Sequence, residues 1–226
     1  MAKTLRIAFV TIGQTPRIDL VPEMVAEILV GHDDRTLDYV EFGVLDGLDA
    51  AALEAMAATD GEPSFATRLN SGEEIVSSKH RTEARLNLIL KDIDRQGFDL
   101  IVLLCTGTTI EPLENTLVVE SQRIVDSTVE ALAASSRKLG LILPLERQIA
   151  EFAARHVFSG TPKSIAASPY AGDDIGARAA ALADCDLVVL HCMGYSAAML
   201  DAVRQSVDAP VLLSRRLVAG VIRQML

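Results

Sequence analysis

Two stretches of this chain spell nearly the same phrase, and nothing else in the sequence constrains the fold as strongly. One is Asp99-Leu100-Ile101-Val102-Leu103-Leu104-Cys105-Thr106-Gly107-Thr108. The other is Asp186-Leu187-Val188-Val189-Leu190-His191-Cys192-Met193-Gly194-Tyr195. Asp, Leu, Val, Leu, Cys and Gly recur at matching places. A short apolar, β-branched run that ends at a glycine reads as a buried parallel strand turning out of a sheet. Ligands of open α/β sheets gather at the carboxyl ends of strands. Both cysteines are therefore expected where such a fold does its chemistry. The repeat predicts two similar halves, each offering one thiol to a shared cleft.

The surrounding pattern extends this reading. Strands are predicted at residues 5–12, 37–42, 117–120, 138–143, 164–168 and 211–213, besides the two cysteine strands. Helical spacing is predicted over 18–30, 49–58, 82–96, 121–135, 146–157, 173–183, 197–206 and 215–225. Pro16 is placed to open the first helix, Gly97 to end the third and Ser214 to cap the last. Residues 65–69 and 74–78 read as a hairpin across Asn70-Ser71-Gly72. Alternating strands and helices of this size predict an α/β fold of two pseudo-symmetric lobes with mostly parallel sheets and the site in the cleft between them. The lobe boundary is expected near Val118–Arg123 and the return near Pro210–Ser214. That assigns 1–118 plus 214–226 to the first lobe and 119–213 to the second.

Composition narrows the partners. A net charge of -10 disfavours a phosphate backbone. Absent tryptophan and few aromatics disfavour a base-stacking surface. No run approaches membrane-spanning length, and the N-terminus lacks the pattern of a signal peptide. Three cysteines without a Cys-x-x-Cys pair fit free thiols in a cytoplasmic protein. The expected partner is a small anionic carboxylate, with no nucleic acid and no membrane. There is no metal-ligand spacing, no G-x-G-x-x-G, no Walker loop and no G-x-S-x-G elbow, so no metal and no cofactor are expected.

Two thiols facing one carbon can invert it. A thiolate removes the α-proton of a carboxylate substrate, and a thiol returns one from the opposite face. One thiol must be ionised and the other protonated, and helix N-termini after each strand are expected to favour the thiolate. Taken singly, each cysteine would read as a small buried hydrophobe. Strand-end position and repetition argue for catalytic Cys105 and Cys192, whereas Cys185, entering its strand from the other end, reads as structural. Substrate-binding donors are expected from Thr11, Gly13, Gln14 and Arg17 after the first strand. Thr106, Gly107 and Thr108 are expected beside one thiol, and Gly194, Tyr195 and Ser196 beside the other. Arg123 is expected at the lobe junction. The arginines would supply a fork for carboxylate. His191 alternates away from Cys192 and is expected to pack or hydrogen-bond behind the strand.

Six motifs carry a family resemblance. They are Thr11-Ile12-Gly13-Gln14-Thr15-Pro16-Arg17, Gly43-Val44-Leu45-Asp46-Gly47-Leu48, Thr67-Arg68-Leu69-Asn70-Ser71-Gly72, Leu104-Cys105-Thr106-Gly107, Glu120-Ser121-Gln122-Arg123-Ile124 and Leu143-Pro144-Leu145-Glu146-Arg147-Gln148. Spread along most of the chain, they resemble the AroM protein family. The paired strand-end cysteines resemble the aspartate/glutamate/hydantoin racemase superfamily. That resemblance implies cofactor-independent proton transfer beside a carboxylate or carbonyl, with Cys105 and Cys192 as the acid/base pair, and a homodimer. Two departures stand out. The racemases carry Cys-Asn-Thr at the first thiol and Gly-Cys-Thr at the second. Here the sequences are Cys105-Thr106-Gly107 and His191-Cys192-Met193. The segment 44–80, holding Asp46, Arg68 and Lys79, is longer than in a racemase and reads as a cover over the cleft or a surface flap.

The leading expectation is a cofactor-independent racemase or epimerase, an isomerase acting on a small carboxylate such as an amino acid or derivative. The alternatives are a one-cysteine isomerase or decarboxylase of a dicarboxylate, or a non-catalytic metabolite-binding protein on the same fold.

Overall fold

The computed structural model describes residues 4–32, 34–134, 138–155 and 162–226. The chain divides into two compact units, Met1–Gln122 with Ala219–Leu226, and Arg123–Val218.

The first unit holds β1 (Arg6–Thr11), α1 (Val21–Ile28), β2 (Asp38–Gly43), α2 (Ala50–Met56), β3 (Ser64–Arg68), β4 (Glu74–Ser78), α3 (Lys79–Ile93), β5 (Leu100–Leu103) and β6 (Leu117–Glu120). Its parallel sheet runs β2-β1-β5-β6, and β3 and β4 form a separate antiparallel hairpin. The chain then passes through α4 (Ser121–Ala133) into β7 (Leu139–Leu143), α5 (Glu146–Arg155), β8 (Lys163–Ala166), α6 (Ile175–Ala179), a 3-10 turn at Ala180–Leu182, β9 (Leu187–Leu190), α7 (Ala197–Arg204), β10 (Val211–Leu213) and α8 (Ser214–Arg223). The second sheet, read from its other edge, runs β8-β7-β9-β10, all parallel. Both sheets therefore have one order, and β5 and β9 occupy the same place in it. The fold is α/β with mostly parallel sheets, as expected. Residues 135–137 and 156–161, into which two predicted helices run, lie outside the described residues. No helix among the described residues is long and apolar enough to cross a membrane.

The sequence repeat becomes a repeat of hydrogen bonds. Asp99 closes the start of β5 on β1, accepting from the Arg6 amide (3.0 Å) and donating its own amide to the Arg6 carbonyl (2.8 Å). Asp186 makes the same pair of bonds with Lys138 (2.9 and 2.9 Å). At the other end, Ser121 Oγ donates to the Leu103 carbonyl and Ser214 Oγ to the Leu190 carbonyl. Each serine directly follows the residue paired with that leucine across the sheet, Glu120 with Leu103 and Leu213 with Leu190. β5 and β9 are buried at every residue, on both faces of their sheets, which is why the cysteine strands read as continuous apolar runs. The first core gathers Ala8, Val10, Leu86, Leu90, Ile101 and Leu103. The second gathers Ile142, Val188, Leu190, Leu200, Val203 and Leu213.

Three local expectations are corrected. Pro16 does not open a helix. It follows a cis peptide bond within a loop, and α1 starts at Val21 with Pro22 in its first turn. Ser214 does not cap α8, because it is the first residue of that helix and its hydroxyl bonds the Leu190 carbonyl (2.8 Å). No helix follows the first cysteine strand, and the next element is β6. Residues 109–116 instead give their amides to α3 and its end. Glu83 accepts from Thr109 (2.7 Å), Asn87 from Glu111 (2.8 Å), and Asp94 from Glu114, Asn115 and Thr116. Side chains of a neighbouring element thus satisfy amides that an intrahelical ladder would otherwise take.

Candidate active site

Cys105 lies two residues beyond β5 and is half-buried. Thr106 and Thr108 on either side of Gly107 are buried. The inserted hairpin stands directly against this loop. A Cβ on Gly107 would lie 2.9 Å from the Phe65 ring, so only glycine lets β3 approach so closely. The hairpin is also bonded to the loop after β1. Arg68 O accepts from the Gln14 amide (3.1 Å), and Gln14 Oε1 accepts from the Asn70 amide (3.0 Å). A Cβ on Gly13 would collide with the Arg68 carbonyl. Lys79, at the start of α3, lies over the Phe65 ring, 5.6 Å from its centroid. Within the first unit the segment 44–80 is thus a docked wall along the carboxyl edge of the sheet.

The donors expected after β1 hold their own loop. Thr11 Oγ1 accepts from the Gly13 amide (3.2 Å) and from Arg17 Nη1 (2.8 Å). Arg17 is 3% exposed, and its Nε and Nη2 close bidentately on Asp19 (2.9 and 2.7 Å). The fork that the sequence assigns to a substrate carboxylate already grips one belonging to the chain. Burial pushes the Asp19 carboxyl up, but Arg17 and the nearby Arg68 outweigh it and hold the pKa below the usual carboxylate range. Gln14 Nε2 reaches the Leu45 carbonyl (3.3 Å). Asp46 accepts from the Thr15 amide (2.8 Å), the Thr15 hydroxyl (2.6 Å) and the Gly43 amide (2.8 Å).

Cys192 lies two residues beyond β9, in the position Cys105 takes after β5, and it too is half-buried. Its Sγ accepts the Gly194 amide at 3.3 Å. That N–H therefore points at the sulfur, where the sequence expected it in an open anion nest. Tyr195 is fully buried in the second core and donates its hydroxyl to the Ala167 carbonyl (2.7 Å), so the expected substrate donor is engaged within the fold. Ser196 caps α7, accepting the Met199 amide at 3.3 Å and keeping its own proton to donate. Arg123 is exposed in the first turn of α4. His191 turns away from Cys192, as alternation predicts. Its Nε2 lies 2.7 Å from Asp126 Oδ1, and its ring meets Phe152 edge-on. Cys185 is buried, and desolvation pushes its thiol pKa up, in keeping with a structural role. Among the described residues no group of three His, Cys, Asp or Glu is set to hold a metal ion.

A family model described as AroM protein matches residues 7–226. The chain belongs to the AroM family. No relative among curated proteins matches it in sequence. Solved structures similar to this AroM chain include the glutamate racemase of Aquifex pyrophilus, 14% identical with a TM-score of 0.57, covering 98% of this chain and 84% of that one. The aspartate racemase of Picrophilus torridus is 12% identical with a TM-score of 0.52, covering 97% and 94%. The maleate isomerase Iso from Pseudomonas putida S16 is 11% identical with a TM-score of 0.54, covering 99% and 93%. At such identities the likeness establishes a shared fold. The link from the AroM family to these enzymes comes from structure.

Sequence reasoning passes over several residues that shape the two thiol loops of this AroM chain. Ser121 and Ser214 are hidden because different lengths of chain separate them from their cysteines. Phe65, Asp126 and the α3 side chains Glu83 and Asn87 act across long sequence separations that no local pattern marks. Arg215 is fully buried and reaches the second loop, donating from Nε to the Met193 carbonyl (3.0 Å) and from Nη2 to the Gly194 carbonyl (2.9 Å). Its one sequence signal is that it follows Ser214 just as Gln122 follows Ser121.

Proposed function

We propose that this AroM protein is a cofactor-independent racemase or epimerase of a small carboxylate, working by proton transfer between Cys105 and Cys192. One observation carries the reading. The two thiols hold the same place, two residues beyond the third strand in order of two sheets of identical topology, each strand clamped by a serine hydroxyl. One cysteine takes the α-proton as thiolate, and the other delivers a proton to the opposite face. Thr106, Gly107, Thr108 and Ser196 supply donors to substrate from the thiol loops, and the Gly194 amide is turned to Cys192 Sγ. Thr11, Gly13, Gln14 and Arg17 act on substrate through the loop they brace, and Arg123 supplies a further cation. The racemases of like fold support this reading, and the ligand class follows as a small anion that needs no nucleic acid or membrane. A cytoplasmic homodimer completes it.

A second reading is favoured by asymmetry. Within the first unit the hairpin of β3 and β4 stands against the loop of the first thiol, and in the second unit the described residues between β8 and β9 contain no such hairpin. The two cysteines then do different work, as in a one-cysteine isomerisation of a dicarboxylate. The maleate isomerase of like fold supports this alternative.

The test is exchange at the α-carbon. Small carboxylates, including single enantiomers of amino acids and their derivatives, are incubated in heavy water with the wild type, Cys105→Ser or Cys192→Ser. Proton NMR and chiral chromatography follow them. Two-thiol chemistry predicts solvent deuterium at the α-position and a loss of at least about 1,000-fold in turnover for either variant. If a single serine variant is inactive and its counterpart stays near wild type, the one-cysteine reading holds. Tight ligand binding with no exchange in the wild type identifies a binding protein.

A further inference from the structure

The two thiols share a topology but differ in what lies behind them. In the second unit, the peptide joining Met193 to Gly194 is held at both ends. Its N–H donates to Cys192 Sγ at 3.3 Å, and its carbonyl accepts from Arg215 Nε at 3.0 Å. Arg215 Nη2 grips the next carbonyl, that of Gly194, at 2.9 Å. The guanidinium is 1% exposed, so water screens its charge little. A hydrogen bond to a peptide oxygen draws electron density from the nitrogen and strengthens the N–H as a donor. Here the donor is cationic at every working pH. The added positive character falls on an amide that faces the sulfur.

In the first unit a neutral residue takes the sequence position of Arg215. Counting from the clamping serines, Gln122 stands where Arg215 stands. Its buried amide oxygen Oε1 has no hydrogen-bond partner among the described residues. A neutral amide cannot polarise a peptide as a guanidinium does.

We infer that Arg215 is a positioning residue that favours the thiolate of Cys192 through the Met193–Gly194 peptide, making Cys192 the resting base and Cys105 the resting acid. The inference builds on the two-thiol reading. It supplies what that chemistry demands, one ionised and one protonated sulfur at the same pH.

Thiol titration tests it without substrate. The full-length protein is alkylated with iodoacetamide over about pH 5–10. Peptide mass spectrometry follows Cys105 and Cys192 separately, and fragment spectra resolve Cys192 from Cys185. In the wild type, Cys192 is expected to ionise at least about one pH unit below Cys105, a tenfold difference in thiolate fraction. Arg215→Gln should move the Cys192 midpoint up by about one unit and leave Cys105 in place. Arg215→Lys, which keeps the charge, should restore part of the shift. An unmoved Cys192 midpoint in a folded Arg215→Gln protein overturns the inference. Should that variant fail to fold, the wild-type order of the two midpoints decides, and Cys105 ionising first overturns it. Because the readout needs no turnover, a failure here leaves the reaction open, and an absent reaction leaves this result standing.

Discussion

Gly107 and Gly13 do related work at the residue scale, each opening room for the same hairpin, but they meet different obstacles. Behind Gly107 is the edge of the Phe65 ring, which a smaller side chain can vacate. Behind Gly13 is the Arg68 carbonyl, which belongs to the backbone of β3. Gly107→Ala should therefore destabilise the protein by about 1–3 kcal/mol in urea unfolding, as overpacking does. Adding Phe65→Leu should recover a good part of that loss. If the double variant is no more stable than Gly107→Ala alone, the ring is not the obstacle. The glycines themselves are plain in the sequence. Their reason is not, because a close approach from a segment 42 residues away from Gly107 and 55 from Gly13 leaves no local trace.

At the scale of elements, the segment after Cys105 shows where pattern reading meets its limit. Residues 109–116 contain Pro112 and read in sequence as irregular or helical, and the helix expected directly after the first cysteine strand does not form. What orders it comes from α3, through Glu83, Asn87 and Asp94. Asp94 is 6% exposed and accepts from three backbone amides and the Asn115 side chain. Burial pushes its pKa up, but these donors prevail and hold it below the ordinary carboxylate value. A carboxyl with a lowered folded pKa adds stability above its unfolded pKa and loses it as pH falls through the folded one. Asp94→Asn should therefore lower the melting temperature by several degrees near pH 7. The gap between variant and wild type should narrow as pH drops below about 4, the unfolded carboxylate range. A gap that stays constant with pH would place the effect in shape and not in charge. The N-cap expected from the sequence, Ser214, is not one, and the side-chain caps lie at other helices. Asp49, Ser78 and Ser196 cap their helices by the usual side-chain rule. Ser214 looks the same in sequence, yet its hydroxyl is drawn to a strand carbonyl.

Across the whole molecule, one repeated phrase revealed two sheets of equal order because buried parallel strands leave a dense apolar signature. The repetition goes deeper than the phrase. Ser121 and Ser214 clamp β5 and β9 at equivalent carbonyls, and neither position stands out by spacing. Ser121→Ala and Ser214→Ala should each cost about 1 kcal/mol or somewhat more, since a buried carbonyl loses its partner in either case. Similar losses by chemical denaturation would mark the clamps as equivalent, whereas a large difference would show that the likeness of the two units stops at topology. The donor side of the candidate site was less legible. Arg17, Gln14 and Tyr195 have the right chemistry for a ligand, but Arg17 is engaged by Asp19 in its own loop, Gln14 by Asn70 and Tyr195 by Ala167. The return of residues Ala219–Leu226 to the first unit bears on biosynthesis. Ala219 and Ile222 are fully buried, Arg223 reaches Glu27 at 3.5 Å, and Arg35 bonds the Leu226 carbonyl. A chain emerging from the ribosome must therefore carry its first unit unfinished while the entire second unit is translated. Over that interval the nascent protein presents an incompletely covered apolar surface, the kind of surface that chaperones bind.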